Sequence, residues 1–101
     1  LEATLHVPIQ GGRREIEDAY REAYADEPFV RLVDSPPSTK QVLGSNRCDL
    51  FWDFDERIGY AVATSVIDNL VKGAAGQAVQ NMNVMFGRSE TLGLPKNGVW
   101  P

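Results

Sequence analysis

Cys48-Asp-Leu-Phe-Trp-Asp-Phe54, Asp55-Glu-Arg-Ile-Gly59 and Tyr60-Ala-Val-Ala-Thr-Ser-Val-Ile67 are consecutive, and their reading decides the fold class. Successive side chains of a strand point to opposite faces. Cys48, Leu50, Trp52 and Phe54 therefore share one face, and Asp49, Phe51 and Asp53 share the other. The pattern predicts a half-buried strand with a mixed outer face. The connection that follows carries its glycine late, as hairpin loops of three to five residues prefer. Tyr60–Ile67 reads as the returning strand of an antiparallel pair.

Working upstream, residues 1–8 favour a strand closed by Pro8, and Gln10-Gly-Gly12 marks a turn. Ile16, Ala19, Tyr20, Ala23 and Tyr24 recur at helical spacing and predict a helix from about Arg13 to Ala25. Glu17 and Arg21 stand four apart on its exposed side, and Pro28 prevents continuation. Phe29–Val33 reads as a short strand and Asp34–Ser38 as a loop. Thr39–Leu43 reads as extended, interrupted by Gly44-Ser-Asn46. Downstream, Asp68 is an N-cap for a helix running to about Phe86, with Val71, Ala74 or Ala75, Ala78, Met82 and Met85 as its apolar stripe. Gly87 ends it. The tail reads as irregular but packed through Leu94, Val99 and Trp100. The order β-α-β-β-β-β-α predicts an α+β fold with a mainly antiparallel, mixed sheet and two helices.

The 101 residues allow one domain of modest size. The net charge of −4, with no basic patch, argues against nucleic acid as a partner. No apolar run approaches the ~18 residues of a membrane span, and no signal-peptide pattern is present. The single cysteine, Cys48, rules out an internal disulfide and fits a reducing compartment. The chain opens directly in a predicted strand without an initiator Met, so it reads as a piece of a longer polypeptide.

Ser65–Asn83 carries the most chemical information. A strand feeds a helix whose first turns hold Asn69, Lys72, Gly73 and Gly76. Each helical glycine costs about 1 kcal/mol relative to Ala, so close approach of a backbone or a ligand should offset it. Asn69, Gly73, Gly76 or Gln77, and Gln80 fall on one small, amide-bearing side. Amides donate and accept, which suits a carboxamide ligand such as nicotinamide. The helix N-terminus and Lys72 add positive potential. Close helix packing accounts for the same spacing, and the two readings can hold at different ends of one helix.

Asp68-Asn-Leu-Val-Lys-Gly-Ala-Ala-Gly-Gln-Ala-Val-Gln-Asn-Met-Asn83, with Phe86-Gly87 and Glu90-Thr-Leu-Gly-Leu94 behind it, is similar to the C-terminal signature of the N-acetyl-gamma-glutamyl-phosphate reductases, of the semialdehyde dehydrogenase family. Val42-Leu-Gly-Ser-Asn46 resembles that family's Val-x-Gly-Ser-Asn segment. Tyr20-x-x-x-Tyr24-x-x-Glu27-Pro-Phe29 resembles its Tyr-x-x-x-Tyr helix and Glu-Pro-Phe exit. The resemblance covers essentially the whole chain in order. A shorter version of the helix motif occurs in aspartate-semialdehyde dehydrogenases.

The resemblance implies a fold like the C-terminal domain of semialdehyde and glyceraldehyde-phosphate dehydrogenases. Residues 1–67 would belong to the catalytic and dimerisation sheet domain. Residues 68–101 would be a helix and tail that pack back on a nucleotide-binding domain outside this chain. It also implies NADPH-dependent reduction of N-acetyl-glutamyl 5-phosphate to the 5-semialdehyde and phosphate, in arginine biosynthesis, through a cysteine thioester. The family's cysteine lies in a Gly-Cys-Tyr-Pro type element and its acid/base histidine in a Pro-His-x-x-Pro type element followed by Arg-Gly. Neither is in this sequence, so the expectation is that both lie upstream of Leu1 and that this chain alone is inactive.

Asn69 and Gly73 are then candidate contacts for the nicotinamide of NADP, with Lys72 beside them, although Lys72 could instead pair with Asp68. Ser45 and Asn46 either aim a hydroxyl and an amide into a substrate pocket or form a turn. Cys48 reads as a buried structural thiol with only Arg47 to lower its pKa, and His6 as a surface or sheet histidine. Asp53, Asp55 and Glu56 read as a solvated hairpin turn without metal-ligand spacing. The expected partners are the acyl phosphate, the nucleotide-binding domain and a second copy of the chain. The expected location is the cytoplasm, or a plastid or mitochondrion in a eukaryote. Two alternatives share the chemistry: an aminoadipyl-phosphate reductase of lysine biosynthesis, one methylene away in substrate, and aspartate-semialdehyde dehydrogenase. A third, of another class, is a non-enzymatic dimerisation or interaction domain.

Overall fold

A computed structural model describes residues 1–99. Trp100, named above as a packing residue of the tail, lies outside the described residues. The elements run β1 (Glu2–Pro8), α1 (Arg13–Tyr24), β2 (Val30–Leu32), β3 (Cys48–Asp55), β4 (Tyr60–Ile67) and α2 (Gly76–Met85). The sheet has the order β1-β4-β3-β2, antiparallel except for the β2–β3 pair, which is parallel. This is the expected α+β fold with a mixed sheet and two helices. The hairpin turns at Gly59, whose φ of 67° is a left-handed conformation that glycine adopts without a Cβ clash.

Thr39–Leu43 is not a strand, which leaves four strands rather than five. Thr39–Val42 forms a 3₁₀ turn. Ser38 Oγ accepts from Lys40 N, and Ser38 N donates to Gln41 Oε1. This reciprocal cap was written in the sequence as Ser-x-x-Gln. The turn drives Val42 to complete burial.

One sheet face carries α1. Ile16, Phe54 and Ala61 form its core, with Ile9, Tyr20 and Trp52 packed against them. The Tyr20 and Trp52 rings stack at 5.9 Å and 2°. Only part of the predicted α1 stripe is used: Ala19 and Ala23 remain exposed. Glu17 and Arg21 form the expected surface ion pair.

The opposite face holds the most buried charge. Asp49 lies opposite Val66 in the β3–β4 register, and both are fully buried. Arg31, its partner in the β2–β3 register, grips Asp49 with Nε at 3.1 Å and Nη2 at 2.7 Å. Arg47 Nε stands 2.8 Å from Asp49 Oδ1, and Arg47 Nη2 donates to Gln41 O at 2.7 Å. Two guanidinium groups offset the desolvation of one carboxylate, the condition under which a buried charge is tolerated.

β2 covers only the first rungs of β3, so the edge of β3 is open beyond Leu50. A charged clamp closes most of it. Arg13 pairs with Asp53 and donates to Phe54 O, Asp53 accepts from Phe54 N, and the Arg13 guanidinium lies 5.7 Å from the Trp52 ring. Charges at a sheet edge discourage pairing with another chain.

Candidate functional site at the start of the second helix

The candidate residues gather where the sheet hands over to α2. Asp68 caps this junction as expected: its Oδ1 accepts from Leu70 N and Val71 N, and its Oδ2 from Gly44 N at 2.7 Å. Those amides, the Gly44 N–H foremost, hold its carboxyl below the usual carboxylate range. The first helical turn is wide. Val71–Ala75 is a π-helix, with Gly73 N donating to Asp68 O and Ala75 N to Leu70 O. Single π turns inside α-helices recur at functional sites.

The small, amide-bearing side of this helix divides into two environments. Asn69 and Gly73 are exposed, whereas Gly76, Gln80 and Asn83 are buried. Asn69 lines a shallow cleft of about 230 Å³ with Thr39, Leu43, Ile67 and Asp68. A β-carbon at Gly73 would come 2.7 Å from Asn69 Oδ1, so the glycine keeps the amide lying against bare backbone. At Gly76 a β-carbon would collide with Asn46 Oδ1 and stand 2.7 Å from Val71 O. The glycines thus serve a solvent-facing turn at one end and close packing at the other.

The predicted apolar stripe, by contrast, faces outward. Ala74, Ala75 and Ala78 are exposed, as are Met82 and Met85 at 49% and 81%. The buried side of α2 is polar because its partners are polar. Asn46 Nδ2 donates to Gln80 Oε1 at 2.9 Å, Gln80 Nε2 to Glu90 Oε1 at 2.7 Å, and Asn83 Nδ2 to the carbonyls of Glu90 and Leu92. Hydrophobicity alone assigns the wrong side, since amides with matched partners bury at little cost.

Lys72 does not pair with Asp68. Its Nζ donates to Gln80 Oε1 at 2.7 Å and lies 5.4 Å from the Phe29 ring centroid. Burial lowers its pKa. Lys72, rather than Arg47, is the cation that acts on Cys48, because Arg47 is engaged with Asp49. Burial outweighs that cation and pushes the Cys48 thiol up, which disfavours the thiolate. His6 sits exposed on β1 opposite Val62.

Ser45 and Asn46 are both fully buried. Ser45 Oγ donates to Val42 O at 2.7 Å and accepts from Arg47 N, closing a turn behind Gly44, whose φ is 73°. Asn46 N donates to Pro95 O, and Val99 N to Leu43 O, so the tail straps this loop down. Asn46 Oδ1 is buried without a hydrogen-bond partner among the described residues. Gln80 and Glu90, which complete this cluster, were legible only in part. The helical spacing pointed to Gln80, but nothing local placed Glu90 against it.

Asp53 and Asp55 at the hairpin pair with Arg13 and Arg57. A groove of about 430 Å³ lies along Arg13, Arg21, Val33, Trp52 and Asp53, away from Ser45, Asn46, Asn69, Lys72 and Gly73. No helix among the described residues is long and apolar enough to cross a membrane.

Residues 1–69 match the family model for the semialdehyde dehydrogenase dimerisation domain. The chain is similar to N-acetyl-gamma-glutamyl-phosphate reductase of Thermus thermophilus, 47% identical over 97% of this chain and 29% of that protein. It is also similar to the reductases of that name from Aquifex aeolicus, 48% identical over 94% of the chain and 28% of that protein, and Halorhodospira halophila, 54% identical over 93% and 28%. The chain spans less than a third of the length of these curated relatives.

Proposed function

The chain belongs to the semialdehyde dehydrogenase family, in its dimerisation domain, and from that premise we propose that it is a segment of an NADPH-dependent N-acetyl-gamma-glutamyl-phosphate reductase of arginine biosynthesis. The reaction converts the acyl phosphate to the semialdehyde and releases phosphate. A cysteine thiolate and an acid/base histidine, both outside this chain, carry the covalent steps. The cofactor supplies the hydride.

This chain's own contribution is to bind and orient. The observation that carries the reading is the exposed Asn69 amide held over Gly73 on a π-helical turn. An amide offers both donors and an acceptor to a carboxamide, and the missing β-carbon of Gly73 leaves the room in which that amide is seated. Lys72, half-buried behind that turn, adds positive potential without reaching the cleft, since its Nζ is taken by Gln80. The outward apolar side of α2 is the surface that packs on the nucleotide-binding domain. The sheet of residues 1–67 provides the contact to a second subunit, and the enzyme works in the cytoplasm.

In the full-length reductase, Asn69→Ala should weaken NADPH binding about tenfold, one hydrogen bond's worth. Titration of the reduced nicotinamide's fluorescence measures this without turnover. An unchanged dissociation constant would remove Asn69 from the site. The chain alone should show no phosphate-dependent NADPH turnover.

A further inference from the structure

We propose that Asn46 is a positioning residue for the cofactor-facing turn, acting through Gly76 and Gln80 rather than by touching a substrate. The inference rests on the assignment of Asn69 and Gly73 to the nicotinamide.

Asn46 has no exposed surface, so it presents nothing to a ligand in this structure. Its side chain is instead wedged against α2. Nδ2 donates to Gln80 Oε1, and Oδ1 occupies the space that a β-carbon at Gly76 would need. Gly76 is the residue at which the π-helical turn joins the regular helix, and its N–H donates to Val71 O, the last wide hydrogen bond of that turn. The same Gln80 oxygen receives Lys72 Nζ, from within the turn. Gly44, two residues before Asn46, donates to Asp68 at the opening of the turn. One three-residue loop therefore grips the turn at both ends, through Asp68 before it and Gly76 and Gln80 after it. Asn46 Oδ1, buried without a partner among the described residues, marks where this fit has taken precedence over hydrogen bonding. Removing the wedge should let the turn relax towards regular α-helix. That would rotate Asn69 and Gly73 relative to the sheet while leaving the rest of the fold in place.

The test uses full-length reductase variants Asn46→Ala and Gln80→Met, with Asn69→Ala as the reference. NADPH affinity is read by fluorescence titration and the acyl-phosphate KM by steady-state kinetics. Asn46→Ala should weaken NADPH binding about tenfold and leave the acyl-phosphate KM within about twofold. The Asn46→Ala, Gln80→Met double variant should lose less NADPH affinity than the two single losses combined, because the two side chains share one hydrogen bond. If Asn46→Ala does not fold, Gln80→Met alone must reproduce the loss of NADPH affinity. Unchanged NADPH affinity in a folded Asn46→Ala or Gln80→Met variant overturns the proposal. A raised acyl-phosphate KM with NADPH affinity intact also overturns it and returns Asn46 to the substrate. If Asn69→Ala binds NADPH normally while Asn46→Ala does not, the assignment of Asn69 is the part that fails.

Discussion

At the residue scale, the same kind of pair has opposite weight at Asp49 and Asp53. Asp49 is fully buried between Arg31 and Arg47, and the Arg47 side chain is only 14% exposed. Asp49→Ala would leave a largely buried guanidinium without its counter-charge, a loss of about 3–5 kcal/mol. Asp53 pairs with Arg13 in solvent, and Asp53→Ala should cost less than about 1 kcal/mol. Urea unfolding of the two variants measures the contrast; equal losses would refute the account of Asp49. The alternation of β3 had put both aspartates on one face and could not separate them. What separates them is a parallel neighbour, β2, that brings Arg31 alongside Asp49 from a remote part of the chain. Cys48 follows the same logic. Its alternating strand context predicted a buried thiol; Cys48 is only half-buried, and the cation beside it, Lys72, arrives from another element.

At the scale of elements, caps decided where local structure begins. Asp68 was legible because an acidic residue before an apolar run is a direct N-cap signal, and the Leu70 and Val71 N–H groups that donate to its Oδ1 bear this out, with the Gly44 N–H a third donor from outside the helix. Those donors lower its pKa in the fold. The resulting stabilisation is fully present above the unfolded value of about 3.9 and is lost as pH falls through the lower folded value. Asp68→Ala should cost about 1 kcal/mol at pH 7 and make the acid limb of the stability profile shallower, as thermal unfolding at several pH values would show. An unchanged acid limb would mean that the Gly44, Leu70 and Val71 amides do not stabilise the charge. The Ser38–Gln41 cap was equally present in the sequence, but it competes with apolar residues whose spacing also suits a strand. The prolines before it and the glycine after it leave room for only one short turn. Helix α2 closes on Gly87, with Arg88 N donating to Asn83 O and Gly87 N to Val84 O, the paired bonds of a glycine-terminated helix.

For the whole molecule, surface exceeds what a chain of this size leaves exposed. Its accessible area is 6807 Å², against about 5700 Å² for a compact monomer of 11.2 kDa. Its radius of gyration is 14.9 Å, against about 13 Å expected. The excess includes Leu70, Met85 and Phe86, each at least three-quarters exposed. The isolated chain should therefore self-associate. Met85→Lys with Phe86→Lys should reduce that association and change stability by less than about 0.5 kcal/mol per site, since neither side chain is buried. Light scattering across concentrations reads the first and urea unfolding the second. A wild-type chain that stays monomeric throughout would contradict the account.

The sequence by itself determined the strand pair at 48–67, the two helices, the mixed α+β class and the likeness to the semialdehyde dehydrogenase family. Each depends on periodicity, caps and a contiguous motif, which neighbouring residues carry among themselves. Only the tertiary structure decided which side of α2 is buried, that Asn46 and Gln80 rather than the methionines face inward, and that Thr39–Val42 is a turn. Burial of an amide or a carboxylate depends on whether a matched partner arrives from elsewhere in the chain. That information lies in the packing of distant elements, and no local pattern contains it.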